Sequence, residues 1–326
     1  MKKIMAVYDV DVRYADRFAE FANQKDNVPF QVVAFTSLEK LKTFSETETI
    51  DLFLVSDSVP EEELAKIAAG QVVRLSESGM AKDGEAAVYK YQASDHVLRE
   101  VMAWYQPQEA LPFMSVQGRR SRITGVYSPV GRCGKTSFAL TLGLVLSRDR
   151  KVLYLTFEEF SGLSALTGTV HEGGLSDLLY YYTQRDYNTV RLGSVTYNWG
   201  GLDYIPPVTY AEDKTGVEKS AFGGLARRIA ADGVYEELIV DVGQFCGGAE
   251  DVLELCDVVY VPVKEDVVSA AKLEEWKIYL KNSGRGQIQE KLHFLKLPEP
   301  AIQAGRENYL EQLLWSELGD FVRELR

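Results

Sequence analysis

A chain of 326 residues, 46% of them hydrophobic, is long enough for about two domains with ordinary buried cores. Its formal charge of −12 argues against broad electrostatic binding to nucleic acid, which needs a basic face to release counterions. No stretch reaches the roughly 18 uninterrupted apolar residues of a membrane span, and three cysteines without C-x-x-C spacing beside three histidines suggest no zinc site. The start, Met1-Lys2-Lys3-Ile4-Met5-Ala6-Val7-Tyr8-Asp9, has too short an apolar run for a signal peptide and reads as a first strand. A soluble protein of the reducing cytoplasm is expected.

In chain order, apolar runs at residues 3–8, 31–35, 51–55, 71–75 and 87–91 are predicted as strands. Residues 14–23, 38–45, 61–69 and 95–105 carry apolar side chains at helical spacing. Strands alternating with helices imply a small parallel doubly wound sheet over residues 1–105. Residues 106–121 break the periodicity with Pro107 and Pro112 and form the expected linker. Around its end, Arg119, Arg120 and Arg122 either keep the joint solvated or face a polar partner.

From Ile123 the pattern restarts, with strands predicted at 123–127, 151–155, 202–205, 237–241, 258–263 and 292–297. The fold class is therefore α/β, two doubly wound parallel-sheet domains, the second over residues 122–326. The tyrosine-rich run Leu178-Leu179-Tyr180-Tyr181-Tyr182-Thr183 reads as the buried face of a helix. The final segment, 309–325, reads as one amphipathic helix with Leu310, Leu314, Phe321 and Leu325 on one face. Its acids Glu311, Glu317, Asp320 and Glu324 disfavour an anionic membrane surface, so it is expected to pack on the second domain, and membrane association to be indirect.

The chemistry concentrates in Ser128-Pro129-Val130-Gly131-Arg132-Cys133-Gly134-Lys135-Thr136-Ser137, between a predicted strand and the apolar run from Phe138. A strand, a glycine-bearing loop ending in Gly-Lys-Thr, and a helix make a phosphate cradle. Backbone N–H groups from Gly131 through Arg132, Cys133 and Gly134 to Ser137 face an anion, Lys135 supplies a point charge, and the Thr136 hydroxyl suits Mg²⁺. The loop departs from G-x-x-x-x-G-K-[ST] at its first glycine, which is Pro129. Leu238-Ile239-Val240-Asp241-Val242-Gly243 supplies a second element, a strand ending in an acid that can meet the metal, with Gly243 allowing close approach to a γ-phosphate. After the second strand, Glu158 either orients an attacking water or, with Glu159, is a solvated loop acid. Residues 261–266 and 296–300, including Pro298, either wall a base or are ordinary proline turns. ATP with Mg²⁺ is the expected cofactor.

The order of Gly-Lys-Thr loop, acid-bearing loop, strand-Asp-x-Gly and Val261-Pro262-Val263 resembles the deviant-Walker ATPases of the MinD/ParA group over residues 122–326. The first unit resembles a flavodoxin-like response-regulator receiver. The combination is similar to the TadZ/CpaE proteins, which implies placement or assembly of a Flp/Tad-type pilus or secretion machine by a nucleotide-dependent homodimer. In that group a lysine stands where this chain has Val130, and an Asp-x-Asp where it has Thr156-Phe157-Glu158. Binding is therefore expected with slow hydrolysis or none. The alternative is an active partitioning ATPase in which Arg132 replaces the missing lysine, with Lys135 and Glu158 as the other catalytic groups; the competing reading of Arg132 is a solvent-exposed side chain with no catalytic part. In the receiver resemblance, Asp9, Ser76 and Lys90 match the acid, hydroxyl and lysine positions, while Ser56 stands at the acceptor aspartate. This implies a pseudo-receiver for docking or dimerisation; phosphorylation of Asp57 in a receiver-controlled adaptor is the competing reading.

Overall fold

The computed structural model describes residues 3–25, 28–78, 86–105, 120–208, 210, 217–243, 248–298 and 309–325. Of the expected linker only Arg120 and Ser121 lie among them, and Cys246 lies outside them. The chain clusters into two units: Met1–Pro112 with Asn188–Ser194, and Phe113–Tyr187 with Val195–Arg326.

In the first unit, strands β1 (Lys3–Tyr8), β2 (Phe30–Phe35), β3 (Ile50–Ser56), β4 (Ala69–Ser76) and β5 (Ala87–Tyr89) form one sheet in the order β2-β1-β3-β4-β5. Every pairing is parallel, and this is the flavodoxin-like strand order. Leu52, Phe53, Leu54 and Val55 are all buried, as a central parallel strand covered on both faces requires. The helix Val12–Asn23 starts where the Asp11 carboxylate accepts from the N–H groups of Arg13 and Tyr14, and it buries Ala15, Phe18, Ala19 and Ala22 at helical spacing. Helix Ser94–Trp104 covers the sheet, and the short helix Thr189–Ser194 belongs to the same core through Val190. The expected helix at 61–69 is cut to one turn, Glu61–Leu64, because β4 already pairs with Ile50 from Ala69 onward.

In the second unit, β6 (Arg122–Val126), β7 (Val152–Thr156), β8 (Tyr197–Trp199), β9 (Leu202–Ile205), β10 (Glu237–Asp241), β11 (Val258–Val263) and β12 (Leu292–Lys296) follow the order β12-β11-β6-β10-β7-β9-β8. All pairings are parallel except β8 with β9, so the wholly parallel expectation is corrected at this edge. There Gly200 and Gly201, at φ of 59° and 94°, turn the chain through a two-residue hairpin that L side chains would strain. Ser121 is already tied into this unit, its N–H donating to Ala230 O and its hydroxyl to Tyr235 O. Arg120 pairs with Asp257 at 2.5 Å, rather than merely solvating a joint.

The helix Lys135–Leu146 is buried along nearly its whole length, from Phe138 to Leu146. The C-terminal segment packs on it as two helices, Tyr309–Trp315 and Glu317–Leu325, rather than the single one expected. Ser316 makes the break: its hydroxyl bonds Leu313 O, then accepts from the Gly319 N–H. A Cβ on Gly319 would stand on the Leu314 carbonyl, so only glycine fits this corner. Leu313, Leu314 and Val322 are buried beneath it. The tyrosine-rich run is also corrected. Helix Leu175–Thr183 buries Leu175, Leu178 and Leu179, while Tyr180 is exposed and Tyr182 lays its hydroxyl over Gly224. Among the described residues no helix is long and apolar enough to cross a membrane.

Candidate functional site

Strands β6, β7 and β10 deliver their loops to one sheet edge, because the register sets Asp241 beside Val126 on one side and Thr156 on the other. On either side of β6 lie β11 and β10, so crossovers diverge at this carboxyl edge, the crevice where open parallel sheets hold ligands. The loop after β6 is knit by its own groups: the Val130 N–H donates to Ser128 Oγ at 3.2 Å, and Cys133 Sγ to Val130 O at 3.1 Å. Gly134 caps the following helix at φ 85°, which a glycine adopts without strain, and the Lys135–Leu146 helix starts on it. Gly131 is exposed with open space where a Cβ would sit.

Arg132 holds a left-handed backbone at φ 55°, a costly conformation for a long side chain. It is exposed, and among the described residues no ion pair engages it. Val130, by contrast, is buried, so the position of the resembling group's lysine is part of the core.

Lys135 is buried, and its Nζ lies 3.6 Å from Glu158 Oε1 on the loop after β7. Glu158 therefore faces the phosphate-loop lysine; its N–H donates to Thr156 Oγ1. Asp241 is wholly buried at the end of β10, accepting from the Tyr154 hydroxyl at 3.0 Å through Oδ2, while Oδ1 has no partner. Burial pushes its carboxyl up to about 6 and the charge of Glu158 adds to this, against the opposing pull of the Thr136 and Tyr154 hydroxyls and Lys135. A buried carboxylate oxygen without a partner, on a residue that also feels the Thr136 hydroxyl, is an oxygen donor set of the kind that suits a hard cation.

Two predicted residues have an explanation within the protein itself. A Cβ on Gly243 would come 2.5 Å from Phe157 O and 3.0 Å from Glu158 Cα, so glycine is needed where the loops after β10 and β7 touch. Pro298 follows Leu297, whose Cδ1 would lie 3.1 Å from a Cβ on Gly134, which brings the loop after β12 against the phosphate loop. Ser137, half-buried in the first turn of its helix, shares a hydrogen bond with the Tyr309 hydroxyl at 3.2 Å.

Tyr154 and Tyr309 escaped the sequence reading. Tyr154 was accessible in principle, since it lies two residues before Thr156, on the strand face that looks toward Asp241. Tyr309 gave no local signal, being 172 residues from Ser137.

The first unit has its own polar edge. Lys90 and Asp9, both buried, pair at 2.9 Å, and Glu77 stands 3.4 Å from the same ammonium. Burial opposes the Lys90 charge, but the hydrogen bond and charge of Asp9 outweigh it and raise the lysine above its ordinary value. Ser56 lies buried at the end of β3 with its hydroxyl 2.8 Å from Ser58 Oγ. Asp57, one residue on and exposed, accepts from the Glu77 N–H at 3.1 Å. Ser76 is buried at the end of β4.

No family model matches the chain, and no curated protein matches it. Among solved structures it is similar to a ParA family ATPase from Chlorobium tepidum TLS, at 17% identity and TM-score 0.49 over 63% of this chain and 98% of that one. It is also similar to the septum site-determining protein MinD complexed with Mg-ADP from Pyrococcus horikoshii OT3, at 16% identity and TM-score 0.49 over 63% and 94%. A plasmid partition protein from Borrelia burgdorferi shows 15% identity and TM-score 0.45 over 63% and 95%. The chemistry of the site rests on this chain's own residues.

Proposed function

We propose that the chain is a MgATP-binding switch of the ParA/MinD kind. Acting in the cytoplasm, it would position or assemble a Flp/Tad-type pilus or secretion machine through nucleotide-dependent homodimers, with slow hydrolysis or none. The observation that carries this reading is the buried, unpartnered Asp241 Oδ1 at a strand end facing a Lys135-Thr136 helix start. These residues fit the cofactor: Thr136 and Asp241 would hold Mg²⁺, and Lys135 with the N–H groups from Gly131 to Ser137 would take the phosphates. Held there, the metal would supply charge neutralisation. The loops bearing Gly243 and Pro298 would close the sides of the site.

Phosphate binding would draw Lys135 away from Glu158 and release that carboxylate on the loop after β7, an order change of the kind that switches use. The buried Val130 supports slow turnover, since no lysine is available there to neutralise transferring charge. The pilus or secretion role rests on the pairing of a 2-1-3-4-5 parallel unit with a Gly-Lys-Thr unit, the combination that resembles TadZ/CpaE. The apolar faces of both terminal helices are committed to the protein's own core, which favours membrane recruitment through partners.

Light scattering of wild type and Lys135→Ala with ATP, ADP or no nucleotide, alongside phosphate release, tests the reading. ATP-dependent dimers that Lys135→Ala cannot form, with little phosphate released, are expected. No nucleotide effect on either dimerisation or turnover would overturn it. One observation favours an active ATPase as the second reading: Arg132 is held exposed in a strained backbone beside the phosphate loop. Turnover abolished in both Lys135→Ala and Arg132→Ala would select that reading.

A further inference from the structure

A polar contact joins the C-terminal helices to the start of the Lys135–Leu146 helix. Tyr309, the first residue of its helix, places its hydroxyl 3.2 Å from Ser137 Oγ, in the first turn after Gly134. Its ring is held independently of that bond, stacked on Trp199 with centroids 6.4 Å apart and planes 14° from parallel. The next residue, Leu310, fills the space above Gly200 so closely that a Cβ there would meet Leu310 Cδ1 at 2.2 Å. Tyr309 is therefore fixed by the β8–β9 hairpin before it touches Ser137, and Phe138, next to Ser137, is wholly buried.

A serine hydroxyl has one proton and two acceptor lone pairs, and its rotor turns to suit its partners. A fixed phenol that donates to Ser137 Oγ leaves the serine proton available for another acceptor. Resting on the nucleotide reading of this loop, we propose that Tyr309 is a positioning residue for the phosphate site. It donates to Ser137 and so presets that hydroxyl as a donor to a phosphate oxygen of the bound nucleoside triphosphate. The terminal helices thereby become part of the nucleotide response, because anything that displaces Tyr309 costs the loop a preset donor. No proton changes owner in this arrangement; two hydrogen bonds run in one direction, and such chains polarise each other.

Calorimetric titration with MgATP on wild type, Tyr309→Phe, Ser137→Ala and the double variant tests the proposal. Tyr309→Phe keeps the ring on Trp199 and removes only the hydroxyl, so the thermal melt of the nucleotide-free protein should move little. Each single variant should weaken MgATP about five-fold, the change that a neutral hydrogen bond brings. The double variant should be no weaker than Ser137→Ala, because the phenol acts only through the serine. Additive losses would overturn the proposal, as would a Tyr309→Phe protein that binds MgATP like wild type. A wild type that binds no MgATP overturns the nucleotide reading itself, and this proposal with it, a result distinct from both.

Discussion

Lys135 Nζ stands 3.6 Å from Glu158 Oε1, so in the proposed nucleotide site the lysine offered to a phosphate is already held by an acid of the loop after β7. The pair is a competitor to the ligand: binding must exchange a carboxylate for phosphate oxygens at the same ammonium. Glu158→Gln removes the competitor, and MgATP should then bind about two- to five-fold tighter at low salt, the range of a partly exposed ion pair. The gain should shrink as salt screens the pair. Titrations at two ionic strengths check this, and weaker binding by the variant would show that Glu158 helps to hold the ligand instead.

Asp241 makes the nucleotide-free protein sensitive to pH. The folded carboxyl keeps its proton up to about pH 6, whereas the unfolded one lets go near 3.8, so the folded state binds more protons in between. Stability therefore falls as pH rises through that window, by about 3 kcal/mol at this site. Asp241→Asn should be more stable than wild type at neutral pH without nucleotide, and the advantage should vanish toward pH 4. With MgATP the order should reverse, since the variant would lose the carboxylate proposed to hold Mg²⁺. Urea melts of both proteins across this range decide it; an Asn variant weaker than wild type at neutral pH without nucleotide contradicts the account.

The same residues show what the sequence could disclose. The placement of Lys135 and Thr136 at a helix start and of Asp241 at a strand end was legible because glycine-bearing turns and strand ends obey local rules of spacing and strand direction. The β8–β9 hairpin was missed although Gly200-Gly201 marks its turn, because Tyr197–Trp199 is too short for its alternation to register. The packing constraint on Gly243 left no trace in the sequence, since it comes from the backbone of Phe157 and Glu158, contributed by another strand. Apolar periodicity ran straight through Ser316, where one serine hydroxyl redirects the chain. Contacts such as Ser137 with Tyr309 depend on tertiary placement and leave no trace in spacing.

Val190 offers a test of the first unit's unusual makeup. Its side chain is buried in a core with Val97, Leu98 and Val101 of helix Ser94–Trp104, although both flanking segments belong to the second unit. Asn188 starts the short helix by accepting from the Val190 and Arg191 N–H groups at 3.0 Å each. Val190→Ala should cost the first unit about 2 kcal/mol. Hydrogen exchange read by mass spectrometry should show faster exchange over residues 94–104 and none of that change over residues 135–146. Equal acceleration in both regions would mean that the effect is not confined to this core.

The polar edge of the first unit makes a prediction about phosphorylation. Ser56, not an aspartate, ends β3, and a serine hydroxyl is a poor nucleophile without a base to take its proton. Its hydroxyl bonds Ser58, and Lys90 is spent on Asp9 and Glu77. Asp57 is exposed, its carboxylate accepts from the Glu77 N–H, and the Lys90 ammonium that would have to neutralise an arriving phosphoryl group is paired with Asp9 and Glu77 instead. Incubation with acetyl phosphate and Mg²⁺ should therefore leave the intact mass unchanged. Ser56→Asp places a carboxylate at the end of β3, and this variant should gain a hydroxylamine-labile phosphate. A labile phosphate on Asp57 of the wild type would reverse the assignment and make the first unit a phosphorylated input domain.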